Sequence, residues 1–445
     1  MNKTQINEKA DFLIKKSKKS GADNVDVVYI ENSNIDVGCR LRKIERLERS
    51  ESNDLGLRFI KNKKQVIVSS NDLTKKSLEE LVFKASKMVG AVPKDPYCSI
   101  AKGKDLIKKI PNLEIFDNKD PTIKSLKNKV IEAESAGLNV EGVTNSEGAE
   151  IGWNKSKIYL FNSNGLNVSY QSSGHTIYAV LIAGKGTSME REYEFASSVF
   201  EKDLTKASLV GKKAGEFAVR KLNPKKIKTS KIPVIFSPRV ANSFLKHLSN
   251  SINGNSITRG TSFLKKKLNK KIFSSDINII DDSLRKRGLQ SKPFDGEGLE
   301  TKKTQIVENG VLKTWFLDLA TASQLKLKST AHASRGISSP PTPSPTNLYF
   351  EPGNTSPKNL IGNIKKGIYL TELMGSSVNL INGDYSRGGS GFWIDKGEIT
   401  YPINEITIAD NLNDMFKKIT LANDLEFKQG LNSPTMLIED MIVAG

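Results

Sequence analysis

The apolar residues of this chain come in short periodic runs, and this feature constrains the fold more than any other. The longest clean apolar stretch covers residues 179–183, far below the ~18 residues that a membrane-spanning helix needs. Hydrophobic residues still make up 37% of the 445 positions, which is enough to bury sizeable cores. The sequence therefore predicts a folded protein that does not span a membrane, and its length suggests about three domains.

Two periodicities alternate along the chain, one helical and one strand-like. Apolar residues recur at helical spacing near the N-terminus, where Gly21 ends a helix predicted over residues 7–20. Another helix is predicted to begin at Asp120-Pro121, because a capping residue followed by proline is typical of a helix start. Strand-like runs occur in the first block at residues 25–29, 35–41, 55–60 and 65–70.

Turn signals predict several β-hairpins. Asn164-Gly165 separates two apolar runs, and Asn-Gly is the strongest short-range hairpin signal. Asn309-Gly310 and Lys396-Gly397 predict two more hairpins further along the chain. The segment 338–345 (SSPPTPSP) is too rich in proline for helix or sheet, so we expect an exposed, extended loop there.

Breaks in these patterns divide the chain into three predicted units. Residues 1–115 form an N-terminal α+β unit, and residues 116–228 form a middle α+β unit with an antiparallel meander. Residues 229–445 form a C-terminal domain rich in antiparallel β-strands. The predicted fold class is therefore α+β, with mixed N-terminal α/β units followed by an antiparallel β-rich domain.

The chain is strongly basic, with a net charge of +19. This charge invites a nucleic-acid hypothesis, but only 13 of the 68 basic residues are arginine, the residue that best recognises phosphates and base edges. No aromatic residues are interleaved with the lysine clusters to stack bases. Nucleic acid is therefore not the favoured partner, and a basic binding module for an acidic partner, either nucleic acid or an acidic peptide, stays open as an alternative.

The two cysteines, Cys39 and Cys98, cannot build a disulfide framework or a cysteine-rich zinc site. The first residues carry no hydrophobic segment of the kind that directs secretion. We therefore expect a protein of the reducing cytoplasm.

The histidines do not have the spacing of metal ligands. His247 lies beside Lys246 on a predicted helix, so we expect it to be an ordinary helix-surface residue. His332 lies in a loop of small residues, a setting in which side chains often line clefts.

Two polar segments are candidates for a functional site. Residues 294–298 (FDGEG) place two carboxylates on a flexible turn, and residues 384–388 (DYSRG) place an acid, a phenol and a guanidinium in one short loop. An internal salt-bridged junction also explains both segments, and the residues alone favour it over a functional site. Composition and spacing alone predict a three-domain α+β protein, and they indicate no obvious active site.

Several segments of the C-terminal half resemble the TldD/PmbA family, and in particular its PmbA branch, also called TldE. The densest match is YLTELMG at 369–375 followed by GDYSRG at 383–388. Others are FDGEG at 294–298, ENGVL at 308–312, STAHASR at 329–335, and VAG at 443–445. The resemblance is specific from about residue 232 onward and looser before that.

This resemblance implies a role in proteolysis. Family members form a TldD–TldE heterodimer that cleaves small unfolded peptides, and the family has also been described as a modulator of DNA gyrase. The zinc site belongs to the TldD subunit, which carries an H-E-x-x-x-H helix motif and a cysteine near its C-terminus. The resemblance thus implies a TldD-like partner and an unfolded peptide substrate for this chain, with a homodimer possible when it is alone.

The chain departs from the catalytic branch at the metal motif. When the Arg259-Gly260 segment is matched to its TldD counterpart, the motif falls on residues 245–250, which read LKHLSN. Leu245 and Asn250 replace the two histidines, and Lys246 replaces the glutamate. The positive charge of Lys246 would repel a dication. No cysteine lies near residues 424–430, where the second element of the site would fall. We therefore expect no catalytic residue and no metal or other cofactor on this chain, with zinc on the partner.

The sequence thus predicts the non-catalytic subunit of a metallopeptidase complex. Six residues are candidates for the peptide cleft or the subunit junction, namely Glu297, His332, Arg335, Asp384, Tyr385 and Arg387. A second alternative is a self-sufficient hydrolase with an unrecognised site that uses Asp384 or Glu297.

Overall fold

Six antiparallel strands of the N-terminal half form one sheet in the computed structural model, which describes residues 2–375 and 377–445. They are β1 (Asn24–Arg40), β2 (Lys43–Lys61), β3 (Lys64–Ser70), β4 (Val143–Asn162), β5 (Asn167–Ala183) and β6 (Glu190–Ser198). Their order in the sheet is β3-β2-β1-β4-β5-β6. Strands from the predicted first and middle units therefore share one sheet, because β1 pairs with both β2 and β4. The division into three units stays a prediction.

Four helices cover one face of this sheet. They are α1 (Lys3–Lys19), α2 (Lys75–Met88), α3 (Ile123–Leu138) and α4 (Ala207–Arg220). Val25 and Val27 of β1 pack with α1 and α2, whereas Val37 and Cys39 pack with α3 and α4. All four are odd-numbered, and side chains alternate along a strand, so the two helix pairs lie on the same face.

The opposite face of the sheet carries the C-terminal half of the chain. Val28 of β1 and Leu160 of β4 pack there against Phe294. The contact is close at Gly298, whose φ of +83° and proximity to Leu166 leave no room for a side chain. The polar turn predicted at residues 294–298 thus lies at the junction of the two halves.

Two helices begin at different residues than the sequence predicts. In α1, Asn2 and Gln5 form a capping box, so the helix starts four residues before the predicted position. In α3, the Thr122 hydroxyl accepts the amide hydrogen of Ser125 at 3.1 Å and caps the helix, whereas Asp120 and Pro121 precede it.

The first half of β2 is a strand that the sequence analysis missed. Apart from Ile44 and Leu47, residues 43–54 carry polar or charged side chains on both faces and are mostly exposed, so they show no apolar alternation. They are ordered because they pair with residues 30–40 of β1, which is one continuous strand and not two. Cross-strand pairing here replaces the hydrophobic pattern as the cause of strand structure.

The C-terminal half opens with β7 (Ser230–Phe236) and is built on a mixed sheet. Its other strands are β14 (Lys366–Met374), β15 (Asp384–Asp395), β16 (Glu398–Asn411), β17 (Ile419–Leu421) and β19 (Met436–Ala444). The order is β16-β15-β14-β7-β19-β17, and an additional pairing of β16 with β19 closes five strands into a ring. Helix α5 (Pro238–Ser251) follows β7 and contributes to the main core.

Shorter elements complete this half. A five-stranded sheet in the order β10-β9-β8-β13-β18 joins β8 (Ile279–Asp282), β9 (Lys303–Glu308), β10 (Val311–Leu312), β13 (Leu348–Phe350) and β18 (Leu431–Asn432). A two-stranded ribbon pairs β11 (Ala333–Ser334) with β12 (Thr342–Pro343). The remaining helices are α6 (Gly254–Thr258), α7 (Leu319–Leu325), α8 (Pro357–Gly362) and α9 (Leu412–Met415). The α+β fold class is confirmed.

The three predicted hairpins are present, but the prediction for the proline-rich segment is partly wrong. β4 and β5 turn at Asn164-Gly165, β9 and β10 at Asn309-Gly310, and β15 and β16 at Lys396-Gly397. Within residues 338–345, Pro341 and Pro343 are buried, and Thr342–Pro343 is strand β12, although the prediction excluded a sheet there. Proline lacks an amide hydrogen but keeps its carbonyl, and that of Pro343 accepts a hydrogen bond from the Asn253 side chain at 2.7 Å.

Within the described ranges, no helix combines the length and the apolar character that crossing a membrane requires.

Candidate functional site

Helix α5 carries the three degenerate motif positions and directs them to different surroundings. Leu245 is fully buried in the main core of the C-terminal half, beside Phe244 and Leu248. Lys246 and Asn250 are exposed to solvent. Residues five positions apart on a helix are separated by ~140° around its axis, so Leu245 and Asn250 do not face a common point. An aliphatic core residue, an exposed cation and an exposed amide do not fit a zinc ion.

Nor does another part of the described chain offer a ligand set. Among residues 2–375 and 377–445, no group of three or more histidine, cysteine, aspartate or glutamate side chains is arranged to hold a metal ion.

His247 is not the surface residue that the sequence predicts. Its ring packs edge-on against Tyr385 and Phe244, with centroid distances of 5.9 and 6.5 Å. Its Nε2 atom and the Tyr385 hydroxyl are both buried, and neither has a hydrogen-bond partner among the described residues. Burial, together with the nearby charges of Arg387 and Lys246, lowers the pKa of His247 to about 4. The imidazole is therefore neutral at physiological pH.

Residues 384–388, which the sequence analysis predicts as a loop, are the first residues of strand β15. Their side chains point in different directions. Tyr385 points into the core, whereas Asp384 is exposed and accepts hydrogen bonds from Asn382 at 2.6 Å and Asn411 at 3.0 Å. Arg387 donates to the Met374 carbonyl at 3.1 Å. Alternation along the strand separates Asp384 from Tyr385, whereas Arg387 lies on the same face as Tyr385 and reaches the Met374 carbonyl of β14. This surface, β15 residues 384–387 with α5 residues 246–250, is called the motif-helix surface below.

The other three candidate residues lie in a buried polar network at the junction of the two halves. Arg335 donates to Asp26 of β1 at 2.7 Å across 309 residues of sequence, and Arg58 of β2 lies 3.3 Å from the other oxygen of Asp26. All three side chains are at most 7% exposed. The Arg335 Nε and Nη2 atoms are buried without a partner among the described residues. We call this network, with the turn 295–297 and His332, the buried junction.

Two acids of the turn, Asp295 and Glu297, have different hydrogen-bond environments. Asp295 accepts three backbone amide hydrogens, from Glu297, Leu299 and Ala333, at 2.9 to 3.2 Å. Glu297 accepts one, from Leu319 at 2.8 Å. Burial and the neighbouring Asp295 and Asp318 carboxylates raise the pKa of Glu297 well above its usual value. Burial also raises the pKa of Asp295, to about 6, but its three amide donors favour its ionised form, so of these two acids Glu297 holds a proton more strongly.

His332 also belongs to the buried junction. Its Nε2 atom lies 3.2 Å from Asp281, and its Nδ1 atom lies 2.9 Å from the Thr330 hydroxyl. Asp281 is fully buried and also accepts from the amide and hydroxyl of Thr346 at 2.7 and 2.6 Å. His332 therefore has partners at both ring nitrogens and lines no open cleft.

The structure thus divides the six predicted site residues into two groups of three. Glu297, His332 and Arg335 come together in the buried junction, and Asp384, Tyr385 and Arg387 lie on the motif-helix surface. In the described part of the chain, no hydrogen bond or ion pair joins the two groups.

Asp26 and Arg58, which complete the buried junction, were missed in the sequence. A signal for both exists. Each is a charged residue inside an apolar strand run, between Val25 and Val27 or between Leu57 and Phe59. A charge at such a position is buried and needs a partner, although the sequence does not say which.

A cavity of about 280 Å³ lies where the middle segment meets the C-terminal half. Strand β6 and helix α4 form one side, and the start of α5, strand β14 and residues 424–433 form the other. Residues of the segment 424–430, among them Asp424 and Glu426, line this cavity.

Comparison with known proteins decides the family. The chain matches the PmbA/TldA metallopeptidase family in three parts, with domain 1 at residues 25–89, the central domain at 116–222 and the C-terminal domain at 229–445. The chain belongs to the PmbA/TldD metallopeptidase family.

The relatives of this PmbA/TldD-family chain match it over nearly its whole length. Metalloprotease PmbA of Escherichia coli O157:H7 is 32% identical over 426 residues, covering 95% of this chain and 93% of the relative. A metalloprotease PmbA homolog of Haemophilus influenzae is 31% identical over 445 residues, covering 99% and 96%.

Solved structures of related proteins share the fold of this family member. A protein named as a modulator of DNA gyrase from Bacteroides thetaiotaomicron superposes with a TM-score of 0.91 and 25% identity, covering 99% of this chain and 98% of that one. TldE from Thermococcus kodakarensis superposes with a TM-score of 0.88 and 22% identity, covering 98% and 100%. The arrangement of sheets and helices described above is therefore that of the family.

Proposed function

We propose that this chain is the non-catalytic subunit of a cytosolic metallopeptidase complex that degrades or processes small unfolded peptides. A TldD-like partner supplies the zinc, and this chain completes the cleft and helps to hold the peptide. One observation carries the proposal. In a member of a metallopeptidase family, the helix that corresponds to the metal motif presents Leu245 to the core and Lys246 and Asn250 to solvent.

Electrostatics and chemistry both oppose a metal at this helix. A lysine ammonium beside the site repels a dication and cannot act as the general base that a metallopeptidase requires. His247 is the one imidazole on the helix, and its ring is engaged with Tyr385 and Phe244. Restoring a site would require new ligands at Leu245 and Asn250 and the loss of the Lys246 charge.

The motif-helix surface is our candidate for the subunit junction. Two large apolar side chains, Met374 and Ile381, are 45% and 63% exposed near Asp384 and Arg387. The Tyr385 hydroxyl and the His247 Nε2 atom beside them are buried, and neither has a partner within residues 2–375 and 377–445. Exposed apolar side chains grouped in one place are typical of a surface that a partner covers.

The experiment is a metal and activity assay of the purified full-length chain. Elemental analysis is expected to find far less than one zinc per molecule, and unfolded peptides are expected to survive incubation with the chain. A chain carrying an intact H-E-x-x-x-H motif, purified in the same way, is the positive control. Stoichiometric zinc in the isolated chain, or cleavage that a chelator abolishes, would contradict the proposal.

A further inference from the structure

The 280 Å³ cavity between β6 and the C-terminal half has an aromatic wall. Phe195 and Phe217 contribute from the middle segment, and Tyr369 and Phe392 contribute from the C-terminal half. Four cationic and four acidic side chains also line the cavity, so the net charge of the lining is zero. A cavity of this size and composition accepts one large apolar side chain and does not select for a charged ligand.

Strand β6 borders this cavity as an edge strand. It pairs with β5 on one side, and the order of the sheet places no strand on its other side. The Tyr193 carbonyl accepts from Arg239 at 3.2 Å, so it points away from β5. Since alternate residues of an antiparallel strand direct their amide and carbonyl groups to the same side, the main chain of Phe195 also points outward.

The outward amides of β6 are occupied by neighbouring carboxylates. Tyr193 donates to Glu192, and Phe195 donates to Glu194, both at 3.1 Å. Glu192 is 2% exposed and is fixed by Lys221 at 2.7 Å and by Arg239 at 2.8 Å. Glu194 has no ion pair among the described residues. The hydrogen bond from the Phe195 amide to Glu194 is therefore weaker than the one from the Tyr193 amide to Glu192. Another acceptor can replace Glu194 there.

A second donor faces the cavity from the C-terminal half. Ser237 lines the cavity at the start of α5, is 5% exposed, and its hydroxyl has no partner among the described residues. It does not cap the helix, because Val240 and Ala241 donate to the Ser237 carbonyl and not to its side chain. A buried hydroxyl without an acceptor carries a free-energy penalty, and a ligand that supplies an acceptor removes it.

We propose that the cavity binds an extended segment of an unfolded peptide, with one large apolar side chain inserted between the four aromatic rings. The peptide lies along the outer edge of β6, and one of its carbonyls replaces Glu194 at the Phe195 amide. A second carbonyl accepts from the Ser237 hydroxyl. Edge-strand addition of this kind provides main-chain affinity, and the side-chain pocket provides specificity. The choice of a peptide as the ligand rests on the proposed function.

The test is fluorescence anisotropy of a labelled Gly/Ser/Ala peptide with one central phenylalanine, titrated with the full-length chain. The phenylalanine peptide is expected to bind at least about tenfold more tightly than the same peptide with alanine at that position, since burial of the ring supplies the difference. Thr371→Trp, which fills the cavity, should abolish this preference. Equal affinity for the two peptides would overturn the proposal.

Two smaller variants keep the test decisive if Thr371→Trp does not fold. Glu194→Ala removes the competing acceptor and should tighten peptide binding by about threefold, whereas Ser237→Ala should weaken it by about the same factor. Glu132→Ala, an exposed glutamate on α3, is the matched control and should change nothing. Weaker or unchanged binding by Glu194→Ala would contradict the model of carboxylate displacement. The titration needs neither zinc nor a partner, so its failure is distinct from failure of the proposed subunit role.

Discussion

The buried junction and the motif-helix surface contain the same kinds of side chain in opposite circumstances. In the junction, Arg335 and Asp26 are paired in the interior and hold the two halves of the chain together. On the motif-helix surface, Arg387 donates to one backbone carbonyl, and buried polar atoms of Tyr385 and His247 have no partner in the part of the chain that the structure describes. The difference teaches that the polar residues of this chain are structural where an ion pair joins the two halves, and that they form a candidate interaction site where exposed apolar side chains lie beside them.

The largest expected effect compares two arginines, one from each region. Arg335→Ala should lower the free energy of unfolding by about 2–3 kcal/mol, because the buried Asp26 carboxylate loses its 2.7 Å partner and keeps only the longer contact with Arg58. Arg387→Ala should cost less than about 1 kcal/mol, because it loses a single hydrogen bond to a carbonyl. Urea denaturation of both variants measures the two values. Similar losses would remove the distinction between the regions.

Within the buried junction, the two acids should respond differently to amide substitution. Asp295→Asn should cost about 2 kcal/mol or more, because its NH₂ group replaces an oxygen that accepts a backbone amide hydrogen. Glu297→Gln should change stability at pH 7 by less than about 1 kcal/mol, because the amide resembles the protonated acid. Thermal unfolding at pH 7 checks both. A large loss for Glu297→Gln would mean that Glu297 is ionised there.

The pH dependence of the Glu297→Gln variant sharpens this assignment. A carboxyl whose pKa is raised in the folded state stabilises the protein below its unfolded pKa and loses that contribution as pH rises through the folded pKa. The raised pKa of Glu297 therefore makes the native chain less stable as pH increases above ~4.5. Relative to the native chain, Glu297→Gln should gain stability with rising pH.

His247 on the motif-helix surface should have the opposite response. Its pKa is lowered to about 4 in the folded state, so the unfolded chain binds more protons between ~4 and ~6.5 and stability falls as pH decreases through that window. His247→Phe keeps an aromatic ring and removes the titration. Between pH 7 and pH 5, the native chain should lose about 2 kcal/mol more than the variant. Parallel pH profiles for the two proteins would contradict the burial of His247.

The sequence predicted the parts of the fold that short-range chemistry determines. Asn164-Gly165 and Asn309-Gly310 specify their hairpins locally, and both form. The first half of β2 lacks apolar alternation and could not be predicted, since its order comes from pairing with β1. The candidate residues were found through family motifs, but their division into two groups depends on contacts as distant in sequence as Arg335 with Asp26. His247 was misplaced for the same reason, because Tyr385, which covers it, lies on another element.

The central claim is that this chain acts through a partner, and reconstitution tests it most directly. Cleavage of an unfolded peptide should be measured with this chain, with a TldD-like chain carrying H-E-x-x-x-H, and with an equimolar mixture of the two. The account predicts no cleavage by this chain alone, a 1:1 complex on mixing, and cleavage by the complex that a chelator abolishes. A chain that stays monomeric in the mixture and does not alter the turnover of its partner would contradict the account.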